Sequence, residues 1–296
     1  MSAPTALSSG MINLGDLRVH QLQGGHGPPV LFIHGLGSSG YMEWRFNLEP
    51  AAVRHRVYAP DLPGYGRTEK PRVRYTIAYF ASFIERYMDD CGLAAAAIVG
   101  ASLGGRIALE IALENPRLAR RLVLVNALGL GRPKPQMAQM AYGLVTVPHV
   151  GEAVMRFTRS ALRWAPPRTI RRVAGRFAGS SSDLEKVMDD DYLDNLREMY
   201  ETRDFHNAYL STVRSLIHPR ALLSGQHDVS QRLSELKMPV QLIWGADDPL
   251  FPVAHATRAH ALIPDCKLAV IEGAGHTPQA ERPDEFNRLL NDFLSA

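Results

Sequence analysis

Ser102, His276 and one of the aspartates Asp247 and Asp248 are the side chains of this chain whose types and order permit nucleophilic chemistry. Ser102 lies in Gly100-Ala101-Ser102-Leu103-Gly104, directly after an apolar run and directly before a helical pattern. A serine exposed on a sharp strand-to-helix turn needs a strained backbone, and glycines two before and two after it let the turn close. Its hydroxyl is a weak nucleophile at neutral pH, so it requires a base, and the base requires a group to orient it. His276 ends Gly273-Ala274-Gly275-His276, and the two aspartates follow Trp244-Gly245-Ala246; each loop lies just past an apolar run. The ends of parallel strands are where open sheets build their sites. Spacing alone leaves Asp247 and Asp248 as alternatives. The N–H of Leu103, opening the helix, can face a developing oxyanion, and the loop His34-Gly35-Leu36-Gly37 offers the N–H of Leu36 as a second donor.

Other constellations carry less. Gly35, Gly37 and Gly40 spell G-x-G-x-x-G after a strand, with Asp61 about twenty residues on, a dinucleotide fingerprint in spacing. The helix that should begin at the third glycine is interrupted by Asn47 and Pro50, and Asp61 sits in a turn rich in Gly and Pro, so no nucleotide is expected. There is no HExxH pair and no Cys/His cluster with ligand spacing, so no metal is implied. His255 and His260 read as solvated helix residues, and Cys91 and Cys266, far apart, as ordinary reduced thiols.

The elements that must position these groups follow from periodicity. Residues 11–14 and 17–22 read as a hairpin about Gly15-Asp16. Apolar runs at 30–33, 56–59, 97–100, 122–125, 240–244 and 268–271, each ended by a loop, read as parallel strands buried on both faces. Helical patterns at 77–90, 103–114 and 283–294 alternate with them. From about Gly129 the strand signature stops, and helical spacing at 153–164, 169–177, 184–200 and 205–217 fills the interval to about Arg232. The expected organisation is a core formed by residues 1–130 and 233–296, split by a helical cap at 131–232. Seven arginines and no acid lie between Arg156 and Arg176, which reads as a solvated helical face.

Composition sets outer limits. At 296 residues, 46% hydrophobic and 21% charged, the chain can bury a sizeable core and is not a disordered polymer. A formal charge of +3 gives no argument for nucleic acid as a partner. The opening MSAPTALSSG does not look like a secretory signal, so a cytoplasmic protein is expected. With no run of 18 apolar residues, no integral membrane segment is expected either.

Four elements in order, HGLG at 34–37, DLPGYGRT at 61–68, GASLGG at 100–105 and the GADD and GAGH loops around Asp248 and His276, make the sequence resemble the α/β-hydrolase family over nearly all of residues 11–296. The resemblance implies an α/β fold: a mostly parallel α/β-hydrolase sheet flanked by helices, with an inserted helical cap. It also implies the acid at Asp248, three positions after Gly245, and a triad of Ser102, His276 and Asp248 with Leu36 and Leu103 as the oxyanion hole. No organic cofactor is implied. Relatives acting on haloalkanes or epoxides carry Asp where this chain has Ser102, so those reactions are not expected. The substrate implied is a small molecule, a carboxylic ester of small to medium acyl chain or a related carbonyl compound. The alternative is carbon-carbon bond hydrolysis of 2-hydroxy-6-oxo-dienoates; a non-catalytic ligand receptor stands third. Thr277 follows His276 where many carbon-carbon hydrolases carry Trp, which favours esters. Met137, Met140, Tyr142, Leu144, Phe157 and Trp164 are the cap residues expected to line an acyl pocket, if they are not cap core.

Overall fold

A computed structural model describes residues 7–131, 145–217 and 227–296. Its described residues form one eight-stranded sheet in the order β1-β2-β4-β3-β5-β6-β7-β8. The hairpin β1 (Ser8–Leu14) and β2 (Leu17–Gly24) turns at Gly15, whose φ of 61° is free of the Cβ clash other residues meet. β2 pairs antiparallel with β4 (Arg56–Pro60), and from β4 onward every pairing is parallel: β3 (Pro29–Ile33), β5 (Ala96–Ala101), β6 (Ala119–Val125), β7 (Val240–Gly245) and β8 (Cys266–Ile271).

The short apolar runs become central strands because both of their faces are covered. Successive side chains alternate across the sheet, so one strand supplies two cores. Leu31, Ile33, Ile98, Leu122, Leu124, Leu242 and Trp244 pack with helices α3 (Ile77–Asp90) and α4 (Leu103–Glu114). Val30, Phe32, Val99, Val123, Val125 and Ile243 pack on the other face. There they meet Trp44 of α1 (Gly40–Trp44), Leu48 of α2 (Leu48–Ala52) and Phe286, Leu290 and Phe293 of the last helix, Pro283–Ser295. This is the architecture the resemblance implies.

Between β6 and β7 the described chain is helical: α5 (Val150–Trp164), α6 (Pro167–Ala174), α7 (Leu184–Val187), α8 (Asp190–Glu201) and α9 (Arg203–Ile217). The single helix expected over 184–200 is two. Asp189 breaks it, its carboxylate accepting from the N–H of Tyr192 as the cap of α8. α10 (Val253–Leu262) joins β7 to β8, and the short α11 (Pro278–Glu281) precedes the last helix, α12. Among the described residues no helix is long and apolar enough to cross a membrane.

Candidate active site

Ser102 stands between β5 and α4 with φ 51° and ψ −112°, a conformation that L-residues avoid unless the surroundings impose it. The surroundings do so through close packing. A Cβ on Gly100 would lie 2.4 Å from the Gly104 carbonyl oxygen, and one on Gly104 would lie 2.1 Å from that of Ile33. Backbone bonds clamp the serine itself: its N–H donates to Val125 O at 2.9 Å, and its carbonyl accepts from Leu128 N at 3.0 Å. Although Ser102 is the N-cap residue of α4, its side chain makes no capping bond, so the half-buried hydroxyl is not consumed by the helix. The Leu103 N–H opens the helix and has no intrahelical acceptor.

The loop after β3 runs beside this turn: a Cβ on Gly35 would lie 3.4 Å from Ser102 Cβ. His34 is wholly buried and shapes the loop, accepting from Leu62 N at Nε2 (2.9 Å) and bonding Gly35 O from Nδ1 (2.8 Å). Burial pulls its imidazole below the usual range, consistent with a neutral, structural ring. The Gly35 N–H is taken by Glu43 Oε2 at 3.2 Å, which leaves Leu36 as the next donor along the loop.

Asp248 and His276 are brought together from loops after β7 and β8. Asp248 Oδ2 accepts from His276 Nδ1 at 3.0 Å and from Asn126 Nδ2 at 2.7 Å, while its Oδ1 accepts from Leu250 N at 2.7 Å and Phe251 N at 3.1 Å. Four donors fix the carboxylate, and with the proton of His276 on Nδ1, Nε2 remains an acceptor. Burial opposes a charge on His276, but the facing Asp248 charge and hydrogen bond, with Glu43 and Glu281 beyond, raise the imidazole above its ordinary value. No Ser102–His276 hydrogen bond occurs among the described residues; apo sites of this kind often hold these groups further apart than a reacting complex does.

The sequence left Asp247 open as the acid, and the structure gives it another task. It is exposed and accepts from Ser180 N at 2.8 Å and Ser180 Oγ at 2.6 Å, bonds that hold its carboxyl below the usual range. Those bonds belong to a strap. The segment 177–182 crosses the histidine loop, with Phe177 O accepting from His276 N at 2.8 Å, Gly179 N donating to Glu281 Oε2 at 2.7 Å and Ser181 N donating to Gly273 O at 3.3 Å. The glycine-serine run that reads as a helix break is therefore a contact of the inserted helices with the site.

Three residues escaped the sequence reading. Asn126, at φ 40° after β6, joins three loops: Nδ2 reaches Asp248 and Gly275 O (2.9 Å), and Oδ1 accepts from Gly245 N (2.9 Å). Glu281, buried, accepts from Gly275 N at 2.8 Å, Thr277 N at 3.0 Å and Thr277 Oγ1 at 3.0 Å besides Gly179 N, and it also bonds Ser182 Oγ. Glu43 accepts from Gln279 Nε2 at 2.6 Å, and its Oε2 and Ser102 Cβ would each lie 3.4 Å from a Cβ on Gly35. The signals available were an asparagine closing an apolar run and a glutamate in the 280–288 tail; Glu43 had none.

Asp61 is engaged within the fold: its oxygens accept from Gly40 N (2.7 Å), Arg67 N (2.8 Å) and the His20 ring (2.8 Å), and so lock the 61–68 turn onto α1. Other expectations are corrected. His255 is buried rather than solvated, because α10 turns that face onto the core; His260 is exposed. Phe157 and Trp164 face solvent, 75% and 79% exposed. Met137, Met140, Tyr142 and Leu144 lie outside the described residues. Cavities of about 820 and 650 Å³ lie elsewhere and touch none of Ser102, Asp248 and His276. Both cysteines are free, and burial pushes Cys266 up to about 12, so neither offers a thiolate. Among the described residues no cluster of His, Cys, Asp and Glu has the form of a metal site.

Comparison with known proteins agrees with this architecture. A family model described as the alpha/beta hydrolase fold matches residues 28–283. An uncharacterized protein of Mycobacterium tuberculosis is 33% identical over 273 residues, spanning 91% of this chain and 76% of its own length. A 2-hydroxy-6-oxononadienedioate/2-hydroxy-6-oxononatrienedioate hydrolase of Pseudomonas putida is 30% identical over 285 residues, 94% of this chain and 92% of that protein. The solved meta-cleavage product hydrolase from Pseudomonas fluorescens IP01 superposes with a TM-score of 0.74 at 26% identity, over 97% of both chains.

Proposed function

The chain belongs to the alpha/beta hydrolase fold family, and on that premise we propose that it is a serine hydrolase that cleaves a carbon-carbon bond in 2-hydroxy-6-oxo-dienoates, with Ser102 as nucleophile. The support for the chemistry is the strained Ser102 turn with an unspent hydroxyl, together with the Asp248–His276 pair, the two being linked through the end of β6, where Val125 O accepts from Ser102 N and Asn126 bonds Asp248. The observation that carries the substrate class is the full-length similarity to the Pseudomonas putida hydrolase, since a common chain plan over 94% of this sequence includes both the core and the inserted helices.

In this reading His276 Nε2 takes the Ser102 proton as Oγ attacks the 6-oxo carbon, and the carbonyl π pair moves onto oxygen. The N–H groups of Leu36 and Leu103 hold that oxyanion, and Asp248 stabilises the imidazolium. The step runs from the 2-keto tautomer of the substrate, in which the 2-hydroxyl proton has been lost, C5 has gained one and the double bond lies between C3 and C4. As the C6 carbonyl re-forms, the C5–C6 bond breaks, its electron pair passes through that double bond onto the C2 oxygen, and His276 returns the proton to that oxygen. Water, deprotonated by His276, then attacks the acyl-serine and frees the acid and Ser102. Residues 131–232 act as the cap over this centre, with the 177–182 strap as its anchor, and a cytoplasmic setting belongs to the same proposal.

A second reading, ester hydrolysis, uses the same steps with an alkoxide as leaving group. It is favoured by Thr277, which spends both its N–H and its hydroxyl on Glu281, and by Glu43, whose charge beside Ser102 disfavours a substrate carboxylate there. Purified protein and Ser102→Ala, assayed on a 2-hydroxy-6-oxo-dienoate and on p-nitrophenyl esters, decide the matter. Dienoate loss that disappears in Ser102→Ala is the expected result. Ester turnover without dienoate cleavage selects the second reading, and turnover of neither leaves a receptor.

A further inference from the structure

We propose that the outer face of α5 and α6 docks on the surface of an anionic phospholipid bilayer. On α5 the positions Val150, Phe157 and Trp164 recur every seven residues and so form one stripe, and they are 39%, 75% and 79% exposed. Ala153 and Ala161 lie along the same stripe and are exposed as well. The helix is thus inverted relative to an ordinary surface helix: its two largest apolar side chains face water, while Gly151 and Met155 are buried. Single exposed apolar residues need no explanation, but two aromatic rings on one continuous stripe are unusual for a surface that meets only water.

The charge beside the stripe identifies the occupant. Arg156 and Arg163 lie on one flank of it, and Arg168 and Arg172, four residues apart, are exposed together on α6, the helix that follows. None of these four is in an ion pair among the described residues. Arg163 instead stacks 5.6 Å over the Trp164 ring. Arg159 and Arg171, less exposed than these four, do find partners in Glu201 and Asp190. An aromatic stripe edged by unpaired arginines on a helix of low overall hydrophobicity is the pattern of an interfacial helix, with rings at the headgroup level and guanidinium groups on lipid phosphates. A second copy of this chain is a poor occupant, because apposing two such faces brings the same arginines against each other.

The structure supplies its own reporter. Of the three tryptophans, Trp44 and Trp244 are fully buried, so Trp164 alone responds to a change at this face. Full-length protein is mixed at low salt with vesicles of phosphatidylcholine containing phosphatidylglycerol, and with phosphatidylcholine alone. The expected result is a blue shift of emission and co-sedimentation with the anionic vesicles only, both reversed by salt. Phe157→Ser weakens the partition at least about tenfold, and each of Arg156→Gln and Arg163→Gln weakens it about fivefold, with circular dichroism and the melting temperature unchanged. Unshifted emission with the protein left in the supernatant overturns the proposal, as does equal binding to both vesicles. A blue shift that grows with protein concentration without lipid assigns the face to a second copy. One produced by polyglutamate but not by vesicles assigns it to an acidic polypeptide. Either result also overturns the proposal.

Discussion

Asn126→Ala is the perturbation that most sharply probes how the loops are joined. The side chain donates to Asp248 Oδ2 at 2.7 Å and Gly275 O at 2.9 Å, and accepts from Gly245 N at 2.9 Å, all in buried surroundings. Truncation removes one charge-assisted bond, of about 1.5–3 kcal/mol, and strands a buried N–H and a buried C=O at about 1–3 kcal/mol each. These losses overlap, because the three partners relax together and water can enter, so the net destabilisation is expected near 3–4 kcal/mol. Alanine also inherits φ 40°, which asparagine tolerates better. Asn126→Gly separates the two contributions: it relieves the backbone and is expected to recover about 1 kcal/mol while leaving the hydrogen-bond loss in place. Since Asn126 holds both the acid and the histidine loop, kcat falls about a hundredfold with KM little changed. Urea midpoints and steady-state rates on whichever substrate the enzyme turns over provide the check. An alanine variant that loses less than about 1 kcal/mol and keeps its kcat refutes the reasoning, because buried partners cannot be stranded without cost.

Other perturbations have equally definite outcomes. Glu43→Gln removes a negative charge that helps raise His276, so the acidic limb of kcat/KM moves to lower pH; a limb that stays in place or moves up contradicts the coupling. Glu281→Gln turns an acceptor of several N–H and O–H donors into one with a misplaced NH2, and is expected to cost about 2–4 kcal/mol and to make residues 177–182 sensitive to protease, read by a cleavage time course. Burial opposes the charge on Asp61, but the His20 bond and charge outweigh it and lower the carboxyl. A lowered folded-state value gives stability that is present above the ordinary aspartate range and lost as pH falls through the folded value, so Asp61→Asn should lower the melting temperature at neutral pH and flatten its fall in acid. The raised His276 acts with the opposite sign: its contribution is complete below about 6.5, the ordinary value, and fades as pH rises through the folded one. His276→Gln therefore narrows the stability difference between acid and neutral solution.

The sheet was legible because strands buried on both faces leave short apolar runs that no amphipathic helix imitates, and each run at 30–33, 97–100, 122–125 and 240–244 lies within an observed strand. The Ser102 turn was legible for a related reason: its glycines are required by contacts within five residues of the serine and with the next strand, so local spacing records them. Asn126 and Glu281 were not. Asn126 bonds groups 119 to 149 residues away, and Glu281, besides its local bonds to Gly275 and Thr277, reaches Gly179 across 102 residues; a polar side chain that bonds a remote loop leaves no periodicity. The inserted helices were legible as helices, but the face each presents depends on what it packs against. Phe157 and Trp164 consequently looked like pocket or core residues until the packing put them outside.

The central claim is that Ser102 Oγ is the nucleophile and is made reactive by His276 and Asp248. Covalent labelling with a fluorophosphonate, followed by peptide mass spectrometry, tests it most directly. The account predicts a single adduct on Ser102, absent in Ser102→Ala and slowed by at least about a thousandfold in His276→Ala. An active preparation whose adduct sits on another residue, or whose labelling rate is indifferent to His276, contradicts it.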